Sequence, residues 1–147
     1  MSESSSEAPL AESRSGRSKK KFFTVDEARR ALPLVSRVVG DIRTAYRKAV
    51  ELERDYTAAL DRGGESEELQ RIESDREAIV DRMNTLTEEL SDIGCELKDW
   101  ETGLCDFPAL RDDREVCLCW KDGEASIDHW HETYSGFRGR QPLDDRM

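Results

Sequence analysis

The sequence predicts an α+β protein: a long antiparallel helical hairpin, coiled-coil-like, followed by a small antiparallel β-sheet. Three observations predict it. Ala28, Leu32, Val35, Val39, Ile42, Tyr46, Ala49, Leu52, Tyr56 and Ala59 recur at spacings of three and four. Leu69, Ile72, Arg76, Ile79, Met83, Leu86, Leu90 and Ile93 repeat the rhythm, with Gly63-Gly64 between the two runs. Each run puts one apolar stripe on a helix, and a short connection folds the two back antiparallel. Beyond Cys95 the period changes, and Val116, Leu118 and Trp120 alternate with Cys117 and Cys119 as a strand does.

Taken in order, residues 1–21 hold almost no large apolar side chain, too few to offset ordering entropy, and are read as a disordered tail. Arg14 to Lys21 form a basic arm, read as a solubilising tail rather than a tether. Thr24-Val25-Asp26-Glu27 is a capping box, with Phe23 placed to staple onto Ala28. Pro33 removes a helical hydrogen bond and clashes with the carbonyl of Arg29. A short first helix from Val25 to about Ala31 is therefore expected, then a bend, with Pro33 opening a long helix to about Asp61. The second helix is expected from Ser66 or Glu67 to Gly94, a good C-terminal glycine. At about 1.5 Å per residue both long helices reach roughly 40 Å. Arg76 breaks the second stripe; snorkelling at its margin is expected over a pair with Glu53.

Asp99 to Gly103 reads as a turn. Leu104 to Phe107 reads as a short strand ended by Pro108. Arg111 to Arg114 is a polar turn. Glu115 to Trp120 is apolar on both faces and belongs in the middle of a sheet. Lys121-Asp122-Gly123-Glu124 carries the Asp-Gly hairpin signal. Ser126 to Tyr134 reads either as a strand, with Ile127, His129 and His131 on one face, or as a helix with Ile127, Trp130 and Tyr134 on one stripe; the hairpin signal favours strand. Phe137 and Leu143 are the expected anchors of the last segment. The layout is thus a tail (1–21), one domain (22–143, divided into hairpin 22–93 and β module 94–143) and a four-residue end.

Charged residues make up 38% of the chain and the net charge is −10; the charged share exceeds the roughly 25% usual for globular domains. The tail sums to +2 and the remainder to −12, which argues against a phosphate-neutralising surface for nucleic acid on the folded part. No run approaches the roughly 18 apolar residues of a membrane span, and the N-terminus lacks an apolar secretory segment. The four cysteines, all between Cys95 and Cys119, are then read as reduced cytoplasmic thiols.

Several segments together resemble the bacterial domain-of-unknown-function family 2203. They are Phe23 to Ala28 with Leu32-Pro33, Leu97-Lys98-Asp99, Gly103 to Pro108, Leu118 to Glu124, Ile127 with Trp130-His131, and Gly136 to Pro142. The resemblance spans about residues 22–143 and implies a helix-then-sheet layout; it implies no chemistry.

Among polar residues, His129 and His131 on one strand face lie about 7 Å apart at the backbone, a workable spacing for two metal ligands. Asp106, Glu124 or a cysteine is the available third. The preferred reading is otherwise: His131 bonds within the sheet, His129 is exposed, no cofactor is needed, and the cysteines are buried and inert. Lys98, Asp99, Asp106, Glu124, His131 and Arg140 are the candidate pocket. Asp106 or Glu124 would act as base, His131 as acid or ligand, and Lys98 and Arg140 as anion clamps. The competing reading, a salt-bridge network tying sheet to helices, is preferred. No nucleophile elbow, phosphate loop or dinucleotide fingerprint is present. The functional expectation is a non-enzymatic interaction or scaffold module, homodimeric through its hairpin or binding a protein partner. The alternative is a small metal- or anion-binding enzyme with a site at the border of the sheet.

Overall fold

The apolar stripe and the capping box together start a helix at Val25, and in the computed structural model, which describes residues 20–147, α1 runs unbroken from Val25 to Asp61. The tail expected over 1–21 lies, up to residue 19, outside the described residues. Thr24 Oγ1 accepts from the Glu27 amide at 3.1 Å and Glu27 Oε1 accepts from the Thr24 amide at 2.9 Å. The expected break at Pro33 does not occur, because the helix contains Pro33 as an interior residue. An interior proline costs about 3 kcal/mol. Ala28, Val35, Val38, Val39 and Ile42 are all buried on the same helix, and each large one returns about 1.5–3 kcal/mol. Continuing the helix buries more than stopping it saves.

After the Gly63-Gly64 turn, α2 runs from Ser66 to Ile93 and ends on Gly94 in the left-handed conformation at φ 114°. Arg62 pairs with Glu68 across the turn. Further along, Arg76 reaches Glu53 at 2.6 Å and lies over the Tyr56 ring at 5.0 Å. Arg76 thus keeps its head group at the surface margin of the stripe, over the Tyr56 face, and there also makes the interhelical pair with Glu53, the less expected outcome.

Five strands follow in sequential order, all antiparallel: β1 Glu96–Asp99, β2 Leu104–Arg111, β3 Arg114–Lys121, β4 His129–Glu132 and β5 Gln141–Pro142. The strongest strand pattern, β3, is central as expected, and residues 129–132 are strand rather than helix. Two expectations are corrected. The Asp99–Gly103 turn is preceded by a strand, β1, too polar to read from its sequence. β2 also does not stop at Pro108. Its pairing with β1 ends at Asp106, and the Pro108 carbonyl instead accepts from Phe23 N at 2.7 Å. A residue's nitrogen and carbonyl point to the same side of a strand. Pro108 therefore turns its missing N–H away from β3, and no ladder bond is lost. Asp112 and Asp113, at φ 51° and 64°, make the tight β2–β3 turn. Lys121 to Glu124 does form a turn, with Glu124 N bonded to the Lys121 carbonyl, but the chain then loops to His129 before pairing again.

One face of the sheet meets the helices. Phe107, Ala109, Val116, Leu118, Trp120 and Trp130 join Val35, Val39, Ile42, Leu86 and Leu90 in one apolar cluster. Phe23 closes it, packed edge-on to Phe107 with ring centroids 5.2 Å apart. Leu143 packs against the cluster, whereas Phe137, the other expected anchor, is exposed and carries the Arg140 and Lys121 cations on its ring. Buried Arg111 stacks on Trp130 and forms a two-pronged ion pair with Asp144 at 2.7 and 2.8 Å.

Helix and sheet are also locked at Gly103. Arg43 on α1 donates to the Glu101 carbonyl at 2.8 Å and pairs with Asp122 at 2.9 Å. Gly103 itself has φ 73°, and a Cβ there would stand 2.7 Å from Val39 Cγ1 and 2.9 Å from Arg43 Cδ. Gly103→Ala should therefore cost about 2–4 kcal/mol, combining left-handed strain with overpacking. Chemical denaturation of the variant beside Gly123→Ala, which has open space around it at φ 104° and should lose only the backbone part, checks this.

Candidate functional site

The strand register decides which polar side chains meet. β2 and β4 flank β3, with Asp106 opposite Cys119, Pro108 opposite Cys117, Cys117 opposite His131 and Cys119 opposite His129. Because side chains alternate, the residues facing the helices are Phe107, Leu118 and Trp130, and the other face carries Asp106, Cys117, Cys119, His129 and His131. Asp106 and His131 come from strands on either side of β3 and meet above it. His131 Nε2 lies 3.0 Å from Asp106 Oδ1, and both residues are buried. His131 Nδ1 lies 2.7 Å from the carbonyl oxygen of Glu132.

Cys117 completes this group. One donor atom each from Asp106, Cys117 and His131 lie within 4.8 Å of one another. Burial, and next the Asp106 carboxylate, push the Cys117 thiol up to about 11. The same two causes push Cys119 up to about 12. All four cysteines are free; the Cys95 side chain, and next burial, also raise Cys105, so the thiols of Cys105, Cys117 and Cys119 are protonated and unreactive at neutral pH.

The six expected pocket residues fall into separate groups. Asp106 and His131 form the buried pair. Arg140 and Glu124 form another, a two-pronged pair at 2.7 and 2.8 Å, with Arg140 also reaching the Cys119 carbonyl at 3.3 Å. The Arg140 guanidinium holds the Glu124 carboxyl below the usual range. Glu124 also accepts from the Lys121 amide at 2.9 Å, so it is anchored in its turn. Asp99 accepts from the Thr102 hydroxyl at 2.5 Å, which chiefly holds its carboxyl low, and from Thr102 N at 3.1 Å, and so closes the β1–β2 turn. Lys98 is exposed, 3.6 Å from Glu96. His129 is half-buried beside Cys119 and lies outside the close donor group, whose members are Asp106, Cys117 and His131.

Strand alternation alone puts Cys117 with Cys119. That Cys117 rather than His129 stands beside His131 and Asp106 follows from cross-strand register, which the seven-residue loop before β4 conceals. The ties from sheet to helix come from residues outside the expected pocket, Arg43 with Asp122 and Arg29 with Asp128.

A second feature lies at the other end of the molecule. The apolar cluster reaches Ala45 on α1 and Ile79 on α2. Beyond it Leu52 and Ala59 are buried only between the helices. Tyr46, Val50, Tyr56, Leu69 and Ile72 are half-buried there, and Leu60 and Val80 are exposed. Residues 46–61 make an arm about 24 Å long at 1.5 Å per residue.

Residues 21–143 match the family described as an uncharacterized conserved protein (DUF2203). No curated protein and no solved structure matches the chain. Among the described residues, no helix is long and apolar enough to cross a membrane.

The Glu124–Arg140 pair sets a pH dependence. A carboxyl held below its unfolded value stabilises the fold above that value and loses the contribution as pH falls through the folded one. Glu124→Gln should cost about 2 kcal/mol at neutral pH, and its gap from the parent should close below the ordinary glutamate value of about 4.3. Urea unfolding of both proteins at neutral and acidic pH checks it.

Proposed function

The chain belongs to the DUF2203 family, whose description names no activity, and we propose that it is a non-enzymatic interaction module that self-associates through its helical hairpin in the cytoplasm. The observation that carries this reading is the arm beyond the sheet. Domains bury helix stripes between layers, yet the arm has one layer. Its stripe is covered on one side by the partner helix and left half-open on the other.

A second copy of the same arm is the occupant that fits. It offers a stripe of equal length and the same period, and a two-fold axis matches each residue to itself or its mate. Two such hairpins make a four-helix bundle, the usual way for narrow stripes to acquire a core. Charged side chains line the outer faces, which keeps the unassociated remainder hydrated. The excess of acid over base outside the tail gives no footing for a nucleic-acid backbone. Four free thiols suit a reducing compartment.

Sedimentation equilibrium should give twice the 16.8 kDa chain mass. Ile72→Asp, half-buried on the arm and far from the sheet, should convert the dimer to a monomer with helicity unchanged. A parent protein that stays monomeric at high concentration overturns the reading.

A further inference from the structure

The Asp106–Cys117–His131 group is a donor set with two buried members and one half-buried, and its proton arrangement is unusual. The Glu132 carbonyl oxygen can only accept, so His131 Nδ1, 2.7 Å away, carries a hydrogen. Neutral imidazole would then turn the lone pair of Nε2 toward a carboxylate oxygen 3.0 Å away. Two lone pairs at that distance need a cation between them, either a proton or a metal ion. A histidine that donates Nδ1–H to a backbone carbonyl while Nε2 faces a carboxylate and a thiol has the outer support typical of a metal ligand.

We propose that Asp106, Cys117 and His131 form a zinc-binding site on the face of the sheet turned away from the helices. Oxygen, sulfur and nitrogen donors together suit zinc, whereas a thiol does not suit magnesium or calcium. Ligands about 2.0–2.3 Å from a tetrahedral ion lie about 3.3–3.7 Å from one another. The three donors already lie within 4.8 Å of one another, and the closest pair, His131 Nε2 and Asp106 Oδ1 at 3.0 Å, parts by a few tenths of an ångström as the ion enters between them. Charge is conserved on binding. One proton leaves from between Nε2 and Oδ1 and one from the Cys117 thiol as a single divalent ion enters. The buried site is neutral before and after, so no uncompensated charge is created where water cannot screen it. Three protein ligands leave a fourth coordination position. Cys117, the half-buried member, marks the side from which ions enter.

Cobalt(II) is the probe, added to chelator-treated full-length protein, with zinc as competitor. One cobalt per chain and a near-ultraviolet sulfur-to-cobalt band, abolished by one equivalent of zinc, are expected. Cys117→Ser should remove the band and weaken zinc binding by more than the roughly 10–100-fold that outer-shell losses cost. Cys119→Ser, on the same strand but outside the donor group, should keep both. Circular dichroism confirms that the serine variants fold, so the result does not depend on a His131 variant. No cobalt or zinc uptake by folded protein overturns the site and leaves a proton-bridged ion pair. A sulfur band that survives in Cys117→Ser overturns it equally. Neither outcome bears on the hairpin dimer, whose residues lie on the arm.

Discussion

A single apolar seal governs this molecule: the lower half of the helical hairpin against one face of the sheet. Val35, Val39, Ile42, Leu86 and Leu90 come from the helices, and Phe107, Leu118, Trp120 and Trp130 from the strands. The seal explains why α1 tolerates Pro33, since both sides of the proline carry residues that the sheet buries. It also sets the length of the supported hairpin. The strands are four to eight residues long where they matter, so they cover one end of a rod more than twice their length. What lies past the seal, the arm, follows from that mismatch.

The same seal divides the sheet's chemistry. Once one face is given to helices, the period-two alternation delivers the remaining polar residues to the other. There Asp106 and His131 are buried only because each satisfies the other; either alone would cost several kcal/mol. The Glu124–Arg140 pair lies near the same face and reaches back to the Cys119 backbone. The polar layer is therefore divided into two paired groups rather than one open cleft, with Cys117 beside the first and Cys119 near the second.

Much of the fold is legible in the chain. Heptad spacing, the capping box at Thr24 and the glycines at 63, 64 and 94 mark both helices nearly to the residue. Alternation marks β3. The errors have physical reasons. Pro33 and Pro108 read as breaks because local rules count a lost hydrogen bond. They cannot see that tertiary burial outweighs the first, or that the second faces away from its neighbour strand. β1 is invisible because half of Glu96-Leu97-Lys98-Asp99 is exposed. At the candidate site, residue type and strand face single out Asp106 and His131. Their meeting over β3, and the presence of Cys117 rather than His129, depend on register across a loop, which no local pattern encodes.

The two outermost strands bear on how such a sheet meets other chains. β1 has four residues and slips register between Leu97 and Asp99, and β5 has two, one of them Pro142. Neither offers a long row of free backbone donors and acceptors, the template on which strands from another molecule add. The open margins of this sheet thus discourage fibre-like growth, even though the strand at its centre, with apolar side chains on both faces, would be prone to it if exposed.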